Sequence, residues 1–109
     1  MKTLALTVFG LMALTMGALA SADTTVTLTI KDHRFVPSEI TVPAGEKVKL
    51  VVKNNDKTPE EFESHSLHQE KVIFGGREVT LKIPPLEPGK YEFMGEFHPD
   101  TARGVLIAE

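Results

Sequence analysis

Apolar and polar residues alternate along five short segments of the chain, and this pattern constrains the fold more than any other feature. The alternating apolar residues are Val26, Leu28 and Ile30; Val48, Leu50 and Val52; Val79, Leu81 and Ile83; Tyr91 and Phe93; and Val105 and Ile107. A period of two places such side chains on one face of a β-strand. Turn-forming residues separate the segments at Pro43–Gly45, Gly75–Gly76 and Pro88–Gly89. The sequence therefore predicts an all-β Greek-key sandwich of about seven antiparallel strands.

The first 22 residues have the pattern of a secretory signal peptide. Lys2 precedes an apolar run from Leu4 to Leu19, and small residues follow at Ala20–Ala22. The run is shorter than the roughly 20 apolar residues that span a bilayer, and it ends at a cleavage-like site. We therefore expect residues 1–22 to be a signal peptide, residues 23–109 to form one domain, and the mature chain to be periplasmic without insertion into the membrane.

The chain has no cysteine, and its 12 basic and 15 acidic residues give a formal net charge of −3 at pH 7. The lack of cysteine excludes a disulfide scaffold, a thiolate nucleophile and a blue-copper centre, whose trigonal plane includes a cysteine sulfur. The sequence contains no basic cluster, so nucleic acids and anionic lipids are poor partners. Cations suit such a chain better.

A series of short motifs resembles the cupredoxins in order and spacing. The motifs are Phe35–Val36–Pro37, Ile40–Glu46, Asn54–Asn55–Asp56, Leu86–Phe93 and Gly104–Ile107. Together they cover nearly all of residues 23–109. The resemblance implies a cupredoxin-like Greek-key β-sandwich with a metal site at one end.

The ligand positions of electron-transfer cupredoxins are largely changed in this chain. Glu60 stands where that family has its first histidine, Gly95 stands where it has cysteine, and the closing methionine would fall near Arg103. His98 matches the second histidine. One of four ligands is therefore retained, which excludes the blue-copper electron carrier.

A narrower resemblance lies in the blocks Glu61–Ser64, Glu70–Ile73 and Gly95–Pro99. These are similar to the cysteine-lacking, cupredoxin-like periplasmic proteins associated with bacterial ferrous-iron permease systems. That resemblance implies iron or copper handling outside the inner membrane, with an iron permease as partner and at most a ferroxidase-like activity on Fe(II).

Two segments that meet at one end of such a sandwich supply the candidate metal ligands. The six candidates are Glu60, Glu61, His68, Met94, Glu96 and His98, and the same segments also contain Glu63, His65 and Glu70. Carboxylate and imidazole groups suit iron, manganese, zinc or Cu(II), and a thioether shifts the preference towards copper. We therefore expect a transition metal ion, iron or copper.

Spacing gives each candidate an expected direction. Met94, Glu96 and His98 lie at i, i+2 and i+4, so an extended strand would present all three on one face. The phase of Phe62 predicts that Glu60 points inward and its neighbour Glu61 outward. His33 lies far from the other candidates in the pattern, and we expect it to be an ordinary surface residue.

Two other functions fit the same sequence. One is a metal-free adaptor that keeps the sandwich and binds a permease or another periplasmic protein. The other is a copper chaperone, whose Cu(I) affinity would depend on Met94.

Overall fold

The computed structural model describes residue 3 and residues 24–109, which form nine β-strands. The strands are β1 (Thr24–Lys31), β2 (Arg34–Val36), β3 (Glu39–Val42), β4 (Val48–Asn54), β5 (Glu60–Ser64), β6 (Gln69–Ile73), β7 (Glu78–Ile83), β8 (Gly89–Gly95) and β9 (Arg103–Ala108). Apart from residue 3, the expected signal peptide lies outside the described residues. No helix in the described part is long and apolar enough to cross a membrane.

The strands form two sheets that pack face to face, which confirms the all-β sandwich. The order is β2-β1-β4-β7 in the four-stranded sheet and β3-β9-β8-β5-β6 in the five-stranded sheet. Nine strands are present rather than about seven, and two of the pairings, β1 with β4 and β3 with β9, are parallel rather than antiparallel. One of the additional strands comes from Pro37, which has no amide proton for a ladder and separates β2 from β3. These two short strands then join different sheets.

The core lies between the sheets and consists of the inward-facing residues of each strand. Its largest fully buried side chains include Leu28, Ile30, Leu50 and Phe62. Burial of each such side chain contributes about 1.5–3 kcal/mol to folding. At the centre, the ring of Phe62 stacks on that of Phe93 with 5.2 Å between centroids.

The prediction that Val105 and Ile107 face the core from β9 is wrong. Leu106 and Ala108 are the buried residues of this strand, whereas Val105 and Ile107 are half-buried. Residues 105–108 are all apolar, so their sequence does not distinguish the two faces. β9 lies between β3 and β8, and a strand in the interior of a sheet can carry apolar residues on both sides.

Candidate functional site

Glu60, the first residue of β5, points into the end of the sandwich as its phase predicts, and its side chain is 1% exposed. Its Oε2 atom lies 2.5 Å from His98 Nδ1. Its Oε1 atom accepts hydrogen bonds from the amides of Phe97 at 2.9 Å and Glu61 at 3.0 Å. A buried carboxylate is costly unless it is hydrogen-bonded, and both oxygens of Glu60 have partners.

His98 reaches Glu60 because β8 ends three residues earlier, at Gly95. A turn follows, in which the amide of His98 donates to the carbonyl of Gly95 and the amide of Ala102 donates to the carbonyl of His98. The prediction that Met94, Glu96 and His98 share one face is therefore wrong for His98. That prediction assumed an extended strand through residue 98, whereas the turn directs the imidazole inward.

His33 also belongs to this cluster, contrary to the expectation that it is an ordinary surface residue. Its ring stacks on that of His98, with 3.6 Å between centroids and an angle of 8° between the planes. Thr101 Oγ1 donates to the carbonyl of His33 at 2.6 Å, which ties the two loops together. We call Glu60, His98 and His33 the Glu60 cluster. Spacing along the chain could not reveal the stacking of the two rings, because His33 lies in a loop of the four-stranded sheet and His98 in a loop of the five-stranded sheet.

Asp56 positions the loop that carries His33. Its Oδ1 accepts from the amide of Asp32 at 2.8 Å and its Oδ2 from the amide of His33 at 2.9 Å. Burial acts to raise the pKa of Asp56, but these two amides, together with nearby positive charge that includes Lys31, outweigh it and leave the pKa below its usual value of 3.8. The Asn54–Asp56 turn that the sequence singled out therefore anchors the loop of His33.

Four glutamates lie on the outward side of the five-stranded sheet, whereas the Glu60 cluster lies on its inward side. We call these glutamates the carboxylate face: Glu61, Glu63, Glu70 and Glu96. Glu63 and Glu70 are directly opposed in the β5–β6 pairing, and the amide of Glu96 donates to the carbonyl of Glu61 at 2.9 Å. Carboxylate oxygens of Glu61, Glu70 and Glu96 all lie within 4.8 Å of one another. Among the described residues, this is the one group of three or more His, Asp or Glu side chains so close together.

Crowding raises the pKa of two of these groups. A hydrogen bond with Glu70, then partial burial and the charge of Glu96, raise the pKa of Glu61 to about 7. The pKa of Glu63 is also raised, first by a hydrogen bond with Glu96 and then by partial burial. Like charges held this close favour a bound proton, and they would equally favour a bound cation.

Met94, His65 and His68 surround the carboxylate face. Met94 is opposite Glu63 in the β5–β8 pairing. The side chain of His65 is 93% exposed, and its Nε2 atom lies 3.4 Å from Glu63 Oε1. His68 lines a shallow pocket with Glu63 and Glu70.

The six candidate ligands thus fall into two groups on opposite sides of the sheet. Glu60 and His98 meet inside, whereas Glu61 and Glu96 meet outside, with Met94 and His68 beside them. Whether these six bind a metal stays a prediction. Glu70 completes the outer group, and its position opposite Glu63 follows from a β-hairpin register that the sequence did not specify.

The blue-copper centre of the resembled family does not fit this chain. Besides lacking cysteine, the chain has no space for one at position 95. A Cβ atom added to Gly95 would lie 2.6 Å from Ala102 Cβ and 2.6 Å from Glu60 Cδ. The Glu60 carboxyl group fills the space into which a side chain at position 95 would extend.

A family model described as "Cupredoxin-like domain" matches residues 3–108. An uncharacterized protein of Rickettsia prowazekii (strain Madrid E) is 50% identical over 82 residues. The match covers 75% of this chain and 66% of that protein, so the chain spans slightly less than two thirds of its relative.

Solved structures that include copper proteins have the same fold. Auracyanin A, a "blue" copper protein from Chloroflexus aurantiacus, superposes with a TM-score of 0.69 at 15% identity, over 81% of this chain and all of that one. The metal-binding domain of the Streptococcus pneumoniae D39 Cu(I)-exporting P-type ATPase CopA gives a TM-score of 0.66 at 14% identity, covering 78% and 84%. Amicyanin from Paracoccus versutus gives 0.60 at 23% identity, covering 84% and 87%. Likeness at these identities shows the fold, and the family match covers nearly the whole chain. The chain therefore belongs to the cupredoxin-like domain family, whose structural relatives include copper-binding proteins.

Proposed function

We propose that this protein binds iron as cargo on the carboxylate face and takes part in iron handling outside the inner membrane. The observation that carries the proposal is the close approach of the Glu61, Glu70 and Glu96 carboxylates, whose oxygens lie within 4.8 Å of one another. Ligand oxygens on opposite sides of one ion lie about 4 Å apart, because each metal–oxygen bond is about 2.0–2.2 Å. Small rotations of these partly exposed side chains would close the remaining gap.

The donor type supports iron over Cu(I). Carboxylates are hard ligands, and a site made of them favours hard cations, whereas Cu(I) prefers thiolate and thioether sulfur. Auracyanin A is a "blue" copper protein, and the CopA domain belongs to a Cu(I)-exporting ATPase. This chain has no cysteine, so a copper site of the blue type is not transferable to it. An oxygen-rich site also holds Fe(III) more tightly than Fe(II), which fits the ferroxidase-like role that the sequence resemblance implies.

Export and delivery to an iron permease complete the proposal. The support is the signal-peptide pattern of residues 1–22 and the resemblance of the blocks around Glu61, Glu70 and Gly95 to permease-associated proteins. Mass spectrometry of the protein from a periplasmic extract should give a chain that begins at Asp23. Recovery of the uncleaved chain in the cytoplasm would contradict the export step.

Metal titrations test the binding site. We expect Fe(II), added anaerobically, and Fe(III), added as a citrate complex, to shift the side-chain NMR signals of Glu61, Glu70 and Glu96. The double variant Glu61→Gln/Glu96→Gln should bind at least about tenfold more weakly, because each substitution removes an anionic ligand. Glu78→Gln, on β7 of the other sheet, is the matched control and should bind as the native protein does. Equal affinities of the double variant and the control would place the iron elsewhere.

A Cu(I) chaperone is a second candidate, favoured by one observation. Met94 lies opposite Glu63, and His65 contacts the same glutamate, so a thioether and an imidazole flank the carboxylate face. Met94→Leu separates the two functions, since it should abolish Cu(I) binding and leave iron binding intact. Absence of binding by Fe(II), Fe(III), Cu(I), Cu(II) and Zn(II) would favour the metal-free adaptor.

A further inference from the structure

Three of the positions that carry copper ligands in electron-transfer cupredoxins meet at one end of this sandwich. Glu60, Gly95 and His98 occupy these positions; the carboxylate of Glu60 contacts the ring of His98 and fills the space beside Gly95. We propose that the Glu60 carboxylate takes over the structural role of the metal ion, joining β5 to the turn after β8 through hydrogen bonds. This inference concerns the inner side of the sheet and does not rest on the iron site proposed for the carboxylate face.

The space between the groups excludes a shared ion in this arrangement. Glu60 Oε2 and His98 Nδ1 are 2.5 Å apart. Two ligands bound to one ion at about 2.0–2.2 Å in tetrahedral geometry are separated by about 3.4 Å. An ion could enter only if the pair separated, and the buried surroundings leave little room for that. The side chain of Glu60 is 1% exposed, and Ala102, which faces Gly95, is fully buried.

The hydrogen bonds of Glu60 connect the two segments that a metal would otherwise connect. Its Oε1 accepts from Glu61, in β5, and from Phe97, in the turn. Its Oε2 contacts the ring of His98, whose side chain is only 27% exposed and is covered by neighbours that include His33. A proton on either atom makes this contact a hydrogen bond.

If the carboxylate is removed, the amides of Glu61 and Phe97 lose their acceptor and the ring of His98 loses its partner. Polar groups that are partly shielded from water and left unpaired are costly, so the arrangement makes Glu60 a stability determinant of this end of the sandwich. The structure thereby assigns Glu60 and His98 a structural role in place of the ligand role expected from sequence.

The first test is a stability measurement on Glu60→Gln. Glutamine keeps the shape of the side chain but replaces one acceptor oxygen with an amino group that faces His98. We expect a melting temperature about 10 °C lower and faster amide hydrogen exchange at Phe97 and Glu61. Glu92→Gln, an exposed glutamate on β8, is the control and should change neither quantity. A melting temperature of Glu60→Gln equal to that of the control would overturn the proposal.

The second test needs no destabilised variant. In a Glu61→Gln/Glu70→Gln/Glu96→Gln background, which removes the proposed iron ligands, the His98 and His33 ring signals are followed by NMR during addition of Cu(II), Zn(II) and Fe(II). We expect these signals and the melting temperature to stay unchanged up to one equivalent of metal. Saturable shifts of the His98 ring, with a rise in melting temperature, would show that an ion still binds between Glu60 and His98. Because the proposed iron ligands are absent, neither result depends on the iron site.

Discussion

At the scale of single residues, two polar side chains, Asn54 and Asp56, organise the end of the sandwich that carries the Glu60 cluster. Asn54 Nδ2 donates to the carbonyls of Thr58 and Ile73, and Asn54 Oδ1 accepts from the amide of Asp56. Asp56 in turn accepts from the loop that carries His33. Backbone groups near the core must find partners, and here short side chains from one turn provide them.

Replacement of Asp56 tests this support. Asp56→Ala removes the acceptors for the amides of Asp32 and His33, and it should lower the free energy of unfolding by about 1–2 kcal/mol at pH 7. Because the folded-state pKa of Asp56 is lowered, its contribution exists above pH 3.8 and is lost as the pH falls through the folded pKa. Urea denaturation at pH 7 and at pH 3 should therefore show a smaller difference between variant and native protein at the lower pH.

Lys57→Ala, at the next position in the same exposed turn, is the control for Asp56→Ala and should be close to neutral. NMR should also show a change at the His33 and His98 rings in Asp56→Ala alone. A difference in stability that is the same at both pH values would argue against the ionised carboxylate as the source of the effect.

At the scale of strands, alternation predicted the buried face of four of the five segments, but not that of β9 and not where each strand ends. The inward phase of Glu60 was correct because Phe62, two residues later, is an unambiguous core residue. The direction of His98 was wrong because the end of β8 at Gly95 depends on a turn, and the turn is stabilised by contacts with Glu60 from a distant strand. The carboxylate face was predicted in part: Glu61 and Glu96 were candidates, whereas the closeness of Glu70 depends on the β5–β6 register.

The β5–β6 pairing predicts a pH dependence of stability. The folded-state pKa of Glu61 is about 7, above its ordinary value of 4.5, because Glu70 on β6 shares a hydrogen bond with it. A raised pKa means that the folded state binds the proton more tightly. The corresponding stability is present below about pH 4.5 and is lost as the pH rises through about 7.

Melting temperatures measured with a metal chelator present should therefore fall between pH 5 and pH 8. The fall should be smaller in Glu61→Gln, whose side chain can hydrogen-bond to Glu70 without titrating. Glu78→Gln serves again as a control from the other sheet and should follow the native curve. If the melting temperature of Glu61→Gln fell as much as that of the native protein, the carboxylate face would not be the source of the pH dependence.

At the scale of the whole molecule, the sandwich could be predicted from alternation and turn residues, and the structure and family match confirm it. The two parallel pairings could not, because alternation reports which side of a strand is buried and says nothing of its neighbours. The stacking of His33 on His98 also belongs to this scale. It arises where the loop after β1 meets the turn after β8, and these lie in opposite sheets.

All nine strands lie within residues 24–109, so we expect a chain consisting of these residues to fold on its own. Circular dichroism should show a β-rich spectrum and a cooperative thermal transition. A matched chain of residues 32–109, which lacks β1 from the interior of the four-stranded sheet, should be unfolded, because β2 and β4 both pair with β1. Failure of residues 24–109 to give a cooperative transition would show that the preceding segment contributes to the fold.

The position of β9 between β3 and β8 has a consequence for how the protein acquires its structure during synthesis. β9 follows the other eight strands along the chain, yet in space it separates β3 from β8. The five-stranded sheet cannot be completed before residues 103–108 have left the ribosome. Its completion pairs residues far apart in the chain, such as Glu39 with Val105, 66 positions later. We therefore expect the nascent chain to complete its core only after the whole domain has been synthesised.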